Sequence, residues 1–149
     1  MNKHETEKRN RTELKLHLLN DGYFTIDKSL LVYAKYQGQI YNAALKPLLI
    51  KNEKENILVD TGIGDLPETH KKFHTIKRNP EQTLIAQLRK FGLKPENIDI
   101  VVNTHLHFDH CGNNMLFPKA RFYVQVEEIR YAYAPDRFCL LYTSDAADE

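Results

Sequence analysis

Asn103-Thr104-His105-Leu106-His107-Phe108-Asp109-His110 is the stretch on which the reading of this chain turns. Its metal-binding side chains are spaced H-x-H-x-D-H, and they follow directly on an apolar run, Ile98 to Val102, that reads as a strand. In extended chain, residues two apart point the same way, so His105 and His107 can converge on one ion. As the backbone turns, Asp109 and His110 face another direction, which suits a second ion close by. Imidazole and carboxylate together are borderline donors for which zinc is the natural occupant, although iron and manganese accept the same ligand types. A lone histidine is usually a surface or core residue. Three histidines and an aspartate at this spacing, at the carboxyl end of a buried strand, weigh far more than chance clustering.

Working upstream, Ile57-Leu58-Val59 predicts a short buried strand running straight into Asp60-Thr61-Gly62. Between the two strands, Leu84, Ile85, Leu88 and Phe91 stand at helical spacing within Thr83 to Phe91. Asn79-Pro80-Glu81 can cap that helix and Gly92 can stop it. Asp65 to Pro80 is polar and reads as loop or broken helix. Nearer the start, Leu14 to Leu19 alternates like a strand, Asn20-Asp21-Gly22 signals a tight turn, and Tyr23 to Asp27 reads as the returning strand. Leu45 to Ile50 adds a further apolar segment. Downstream, Arg121 to Val126 predicts a strand and Glu127 onward a helix. Strand, helix, strand, loop, strand is an α/β layer pattern.

Several other residues invite a reading. His70 and His74 stand four apart, but Pro67 and the surrounding charges favour a loop with both rings in solvent. His17 alternates with Leu16 and Leu18 and is expected to face outward. Cys111, Tyr131 and Tyr133 read as packing residues.

The bulk numbers exclude more than they assign. The 149 residues suffice for one ordinary domain with a core. With 21 basic against 20 acidic side chains the net charge is +1, so no electrostatic case exists for a nucleic-acid or membrane partner. No apolar run is long enough to span a bilayer. Residues 1–13 are almost wholly polar and read as a flexible arm, neither secretory signal nor anchor. Two cysteines, Cys111 and Cys139, make no disulfide framework and suit a reducing cytoplasm.

T-H-L-H-F-D-H resembles the signature of the metallo-β-lactamase superfamily of metal-dependent hydrolases. The resemblance extends to Ile57-Leu58-Val59-Asp60-Thr61-Gly62 and to Pro95-Glu96-Asn97-Ile98-Asp99-Ile100-Val101-Val102-Asn103. It covers about residues 14–138. It implies an αββα sandwich, of which this chain would hold the N-terminal half. It also implies two zinc ions, with His105 and His107 belonging to the first and Asp109 and His110 to the second. Asp60 would lie beside the metals and orient their ligands; the plainer reading is a turn aspartate before Gly62. Zinc lowers the pKa of bound water to about 7, making hydroxide available at neutral pH. Asp109 would then be the catalytic residue that relays a proton to the leaving group, unless it is a ligand only.

Leu18 to Gly22, Phe122 to Val126 and Glu127-Glu128 are similar to the N-acyl homoserine lactonase branch, which opens lactone rings and quenches bacterial signalling. A small lactone is therefore the expected substrate, and a homodimer is left open. Lys, Cys and Asn variations near Gly112 depart from the usual A-G-G of that branch and leave the substrate in doubt. A glyoxalase II-like thioesterase, a phosphodiesterase and a β-lactamase are the alternatives on the same scaffold. A non-catalytic zinc-binding module is the alternative of another class.

In that superfamily further histidines from downstream complete each zinc and an aspartate bridges the pair, yet no histidine follows His110 here. Residues 139–149, Cys139 to Glu149, read as a translated transposon-type sequencing adapter, because TGTCTCTTATACACATCT encodes C-L-L-Y-T-S. That tail is excluded from fold reasoning. The natural gene is expected to continue past Phe138. A half sandwich should expose an apolar sheet face and bind zinc weakly, with little activity of its own.

Overall fold

The computed structural model describes residues 13–32, 35–66, 68–72 and 74–134, without the side chains of residues 69 and 70. The polar arm up to residue 12 and the adapter-like tail lie outside the described residues, as does the side chain of His70. In chain order the elements are β1 (Lys15–Leu18), β2 (Tyr23–Asp27), β3 (Ile40–Ala44), β4 (Leu48–Lys51) and β5 (Asn56–Val59). They continue with α1 (Glu68–Lys71), β6 (Thr75–Lys77), α2 (Leu84–Arg89), β7 (Ile100–Val102), α3 (Phe108–Cys111), β8 (Arg121–Tyr123) and α4 (Val126–Tyr133). This is the α/β class expected from the sequence.

The strands form two sheets. One is five-stranded and mixed, in the order β1-β4-β5-β7-β8; the other is three-stranded, in the order β3-β2-β6. β1, β4 and β5 pair antiparallel, whereas β5, β7 and β8 run parallel. The parallel pair β5 and β7 needs a crossover, and α1, β6 and α2 supply it.

α2 is placed by local chemistry. Thr83 is its N-cap, its hydroxyl accepting the Ala86 N–H at 3.3 Å. Gly92, at φ +69°, turns the chain out of the helix while the Leu93 N–H bonds back to the Leu88 carbonyl at 3.1 Å. Leu84 and Leu88, one turn apart, press onto Leu49, Leu58 and Val101 from the sheet, with Leu19, Ile98 and Phe117 completing the core. Asn79 does cap a helical turn, but a separate 3-10 turn, Pro80–Gln82, rather than α2 itself.

Other expectations need correction. The Asn20-Asp21-Gly22 turn is not a hairpin: β1 and β2 enter different sheets. The turn bonds instead to Leu45, through Asp21 N–H to its carbonyl at 3.0 Å and from its N–H to the Gly22 carbonyl at 2.9 Å. β2 leaves because Phe24 and Ile26 are buried in a second core with Leu45, Ile63 and Leu66. His17 faces inward and stacks on Phe91 with ring centroids 4.5 Å apart, while Leu16 and Leu18 face out at 64% and 68% exposure. On the other face of the sheet, Ile50 and Leu48 pair with Leu16 and Leu18 and are only partly buried, so the expected exposed apolar face exists among the described residues. His74 is buried against Phe24 and Phe108, not solvated, because β6 carries its neighbours into the second sheet. Tyr133 is exposed rather than packed.

Candidate metal centre

Parallel pairing of β5 with β7 aligns Val59 with Val102, so the two chains leave the sheet side by side. Asp60 emerges from one and Thr104 from the other. The Asp60 N–H donates to the Val102 carbonyl at 2.9 Å, which holds the two exits together. Ligand sites in open α/β sheets form at such carboxyl ends. Asp60 adopts φ +58°, a left-handed conformation that Asp tolerates better than most residues, and this turns its carboxylate back over the neighbouring loop.

That carboxylate is fully engaged. Oδ1 accepts the Thr104 N–H, Oδ2 accepts the Thr104 hydroxyl, and Oδ2 lies against His110 Nδ1, each at 2.8 Å. With Nδ1 held by Asp60, the opposite ring nitrogen of His110 lies 3.4 Å from Asp109 Oδ2. His107 is the N-cap residue of α3, and the short helix brings Asp109 and His110 back under the loop.

His105, His107 and Asp109 each offer a ligand atom, all within 4.8 Å of one another. The rings of His105 and His107 are 4.5 Å apart and those of His105 and His110 are 3.9 Å apart. Asp109 thus stands with the first two histidines as well as beside His110, rather than with His110 alone. Two imidazoles and a carboxylate, half-buried and convergent, are a donor set that fits a divalent metal.

Electrostatics agree with that fit. Burial lowers the pKa of His107, and neighbouring His105 lowers it further, both favouring the neutral ring. Burial alone would raise Asp60 and Asp109, but hydrogen bonds from His110 to both, with Thr104 on Asp60, outweigh it and hold both below the usual range. For His110 burial works downward, yet the bonds to Asp109 and Asp60 raise it to about 9. Burial, with Asp109 adding, pushes the Cys111 thiol up, and its Sγ donates to the Leu106 carbonyl at 3.3 Å, in keeping with a packing role.

A pH dependence follows for the chain stripped of metal by a chelator. A raised folded-state pKa means stability that is complete below the unfolded value of 6.5 and lost as pH rises through about 9. The unfolding free energy from urea titration should therefore fall between those two pH values, by on the order of 1 kcal/mol after solvent screening of the 34%-exposed ring. His110→Gln should flatten the profile; an unchanged slope would show that His110 is not its source. Saturating metal should reverse the sign, because the metal takes the neutral ring.

Sequence reasoning overlooked the residues that hold the two loops together. The Asn114 amide donates to Asn103 Oδ1 at 2.8 Å, and Thr61 Oγ1 donates to Asn114 Oδ1 at 2.9 Å. Asn113 Nδ2 donates to the Thr61 and Ile63 carbonyls at 2.8 and 3.1 Å. Glu128, from α4, accepts the Leu106 N–H between the two histidines at 3.3 Å. The available signal was Asn113-Asn114 itself, a pair of amides where small residues would suffice for a turn.

Comparisons with known proteins follow the same outline. The chain is 28% identical over 136 residues to the N-acyl homoserine lactonase AttM of Azorhizobium caulinodans, covering 85% of this chain and 51% of that protein. It is 27% identical over 145 residues to an N-acyl homoserine lactonase of Bacillus cereus, covering 87% and 57%. A solved N-acyl homoserine lactone hydrolase, with the product N-hexanoyl-L-homoserine bound at its catalytic metal centre, superposes with a TM-score of 0.69 at 25% identity, covering 82% of this chain and 52% of that one. The chain thus spans about half the length of the curated relatives it matches. The metallo-β-lactamase superfamily model matches residues 47–139, a span that holds Asp60 and every residue of the histidine cluster, and the chain belongs to that superfamily.

Proposed function

We propose that this chain carries the first metal-ligand cluster of a zinc-dependent hydrolase that opens lactone rings, N-acyl homoserine lactones among them. One observation carries the reading: ligand atoms of His105, His107 and Asp109 within 4.8 Å of one another, beside a His110 whose ring Asp60 holds. The lactonase names of the relatives support the substrate class. Cys111, a free thiol among the described residues, suits work in a reducing cytoplasm.

In this reading His105 and His107 would belong to the first zinc, and Asp109 and His110 to the second, with Asp109 close to both groups. Zinc would supply a Lewis acid for the lactone carbonyl and a water of lowered pKa. The chain's own residues do the rest. His107, whose burial favours the neutral ring, would offer the form of imidazole that ligates a metal. Asp60 fixes the ring plane and tautomer of His110. Asp109, mostly withdrawn from solvent, would carry a proton to the departing ring oxygen unless it serves as a ligand only.

The test is metal content and opening of N-hexanoyl-L-homoserine lactone, measured on the 149-residue chain and on any longer product of its gene. Zinc bound together with lactone opening in the longer product, both lost in Asp109→Ala, is the expected result, with weaker zinc binding and little activity in the 149-residue chain. Zinc without lactone opening in either protein would end the lactonase reading and leave the superfamily assignment standing. No metal in either would end the metal-site reading.

A further inference from the structure

Asp21 is fully buried in the turn between β1 and β2. A buried carboxylate is costly unless it is paired and hydrogen-bonded. Its two oxygens face Arg78 and the Ile63 backbone, with the Leu84 backbone adding a further hydrogen bond. Oδ1 accepts from Arg78 Nη1 at 3.0 Å, and Oδ2 accepts the Ile63 N–H at 3.1 Å. The same Arg78 nitrogen donates to the Ile63 carbonyl at 3.0 Å. Asp21 and Arg78 therefore grip both backbone polar groups of one residue. Burial pushes the Asp21 carboxyl up to about 6 even against the pull of Arg78.

Ile63 ends the stretch Asp60-Thr61-Gly62-Ile63, and that stretch is bonded to the histidine loop along its length. The Thr61 N–H donates to the His110 carbonyl at 2.7 Å, and the Gly112 N–H donates to the Gly62 carbonyl at 3.0 Å. Gly62 and Cys111 form an isolated parallel bridge. Neither junction has slack. A Cβ at Gly62, itself at φ +69°, would overlap the Asp21 carboxylate, and one at Gly112 would overlap the Gly64 nitrogen and the Phe108 carbonyl. A shift of Ile63 is thus passed through Gly62 to Gly112 and to the His110 peptide.

We infer that the Asp21–Arg78 pair is a positioning device for the metal centre, fixing the Asp60–Ile63 segment against the His110 loop. This rests on the reading of His105 to His110 as metal ligands. A buried ion pair is weak evidence of stability by itself, because apolar replacements of similar volume are often neutral. Directed bonds to both polar groups of Ile63 supply what an apolar pair would not, namely a fixed register.

The experiment is a cobalt(II) titration of the 149-residue chain, followed by the visible spectrum of the bound ion, with a thermal melt of each variant. Asp21→Asn and Arg78→Met should each weaken cobalt affinity about tenfold and alter its ligand-field bands, with Arg78→Lys falling between wild type and Arg78→Met. Leu88→Ala, in the other core, should melt lower yet keep cobalt affinity within about twofold; should it not fold, Ile98→Val takes its place. If Asp21→Asn does not fold, the two Arg78 variants decide. Variants of the pair that melt lower but bind cobalt like wild type, with unchanged bands, would overturn the inference. A wild-type chain that takes up no cobalt would instead overturn the metal-site reading, and this inference with it.

Discussion

His107→Ala is expected to weaken zinc binding by more than about a hundredfold, while backbone circular dichroism stays that of the wild type. His107 contributes one of three convergent donors, and a site short of one donor can recover it only from water. The alternative effect, disruption of the fold, is limited by the position: His107 caps a four-residue helix without a side-chain capping bond, and the cores are made by other residues. Chelator competition measures the change. An affinity within a few-fold of wild type would mean that the donors lie elsewhere and that the histidine cluster has another purpose.

Asp60→Asn should weaken zinc binding by about 10- to 100-fold, the range typical for partners that orient a ligating histidine. Asn is the informative substitution because it tolerates the left-handed backbone that Asp60 adopts at φ +58°. It also retains an acceptor for the Thr104 N–H. What it removes is the charge and the second acceptor oxygen that face His110. The ring should then lose its fixed tautomer, and Thr104 its bond to the same carboxylate. Thermal midpoints of wild type and variant, measured with metal removed, separate this from general destabilisation. Unchanged zinc affinity would return Asp60 to the plainer role of a turn residue before Gly62.

Much of the candidate site is legible in the sequence. H-x-H-x-D-H needs only local chain geometry, since residues two apart in extended chain converge and a turn brings in the next pair. α2 was readable for a similar reason: Leu84 and Leu88 carry their own period and Gly92 its own stop. His74 was misread because its burial depends on β6, a three-residue strand whose existence rests on pairing with β2. No local pattern marks so short a segment. His17 was misread because alternation shows that two faces differ but not which one a helix will cover; Phe91 of the segment after α2 decided that. Asp21 looked like a turn residue, and nothing in its neighbours announces Arg78, 57 residues away.

The sequence by itself determined the donor types, their spacing and the strand that delivers them, because covalent connectivity and backbone geometry suffice for contacts within a few residues. The tertiary structure alone decided which distant groups hold those donors in place. Asp60 meets His110 only because β5 and β7 pair in parallel with Val59 opposite Val102. Asp21 meets Ile63 only because β1 and β2 part into different sheets and leave their turn buried between them. Both are questions of strand pairing, and pairing is set by the burial of whole faces rather than by any one stretch of chain.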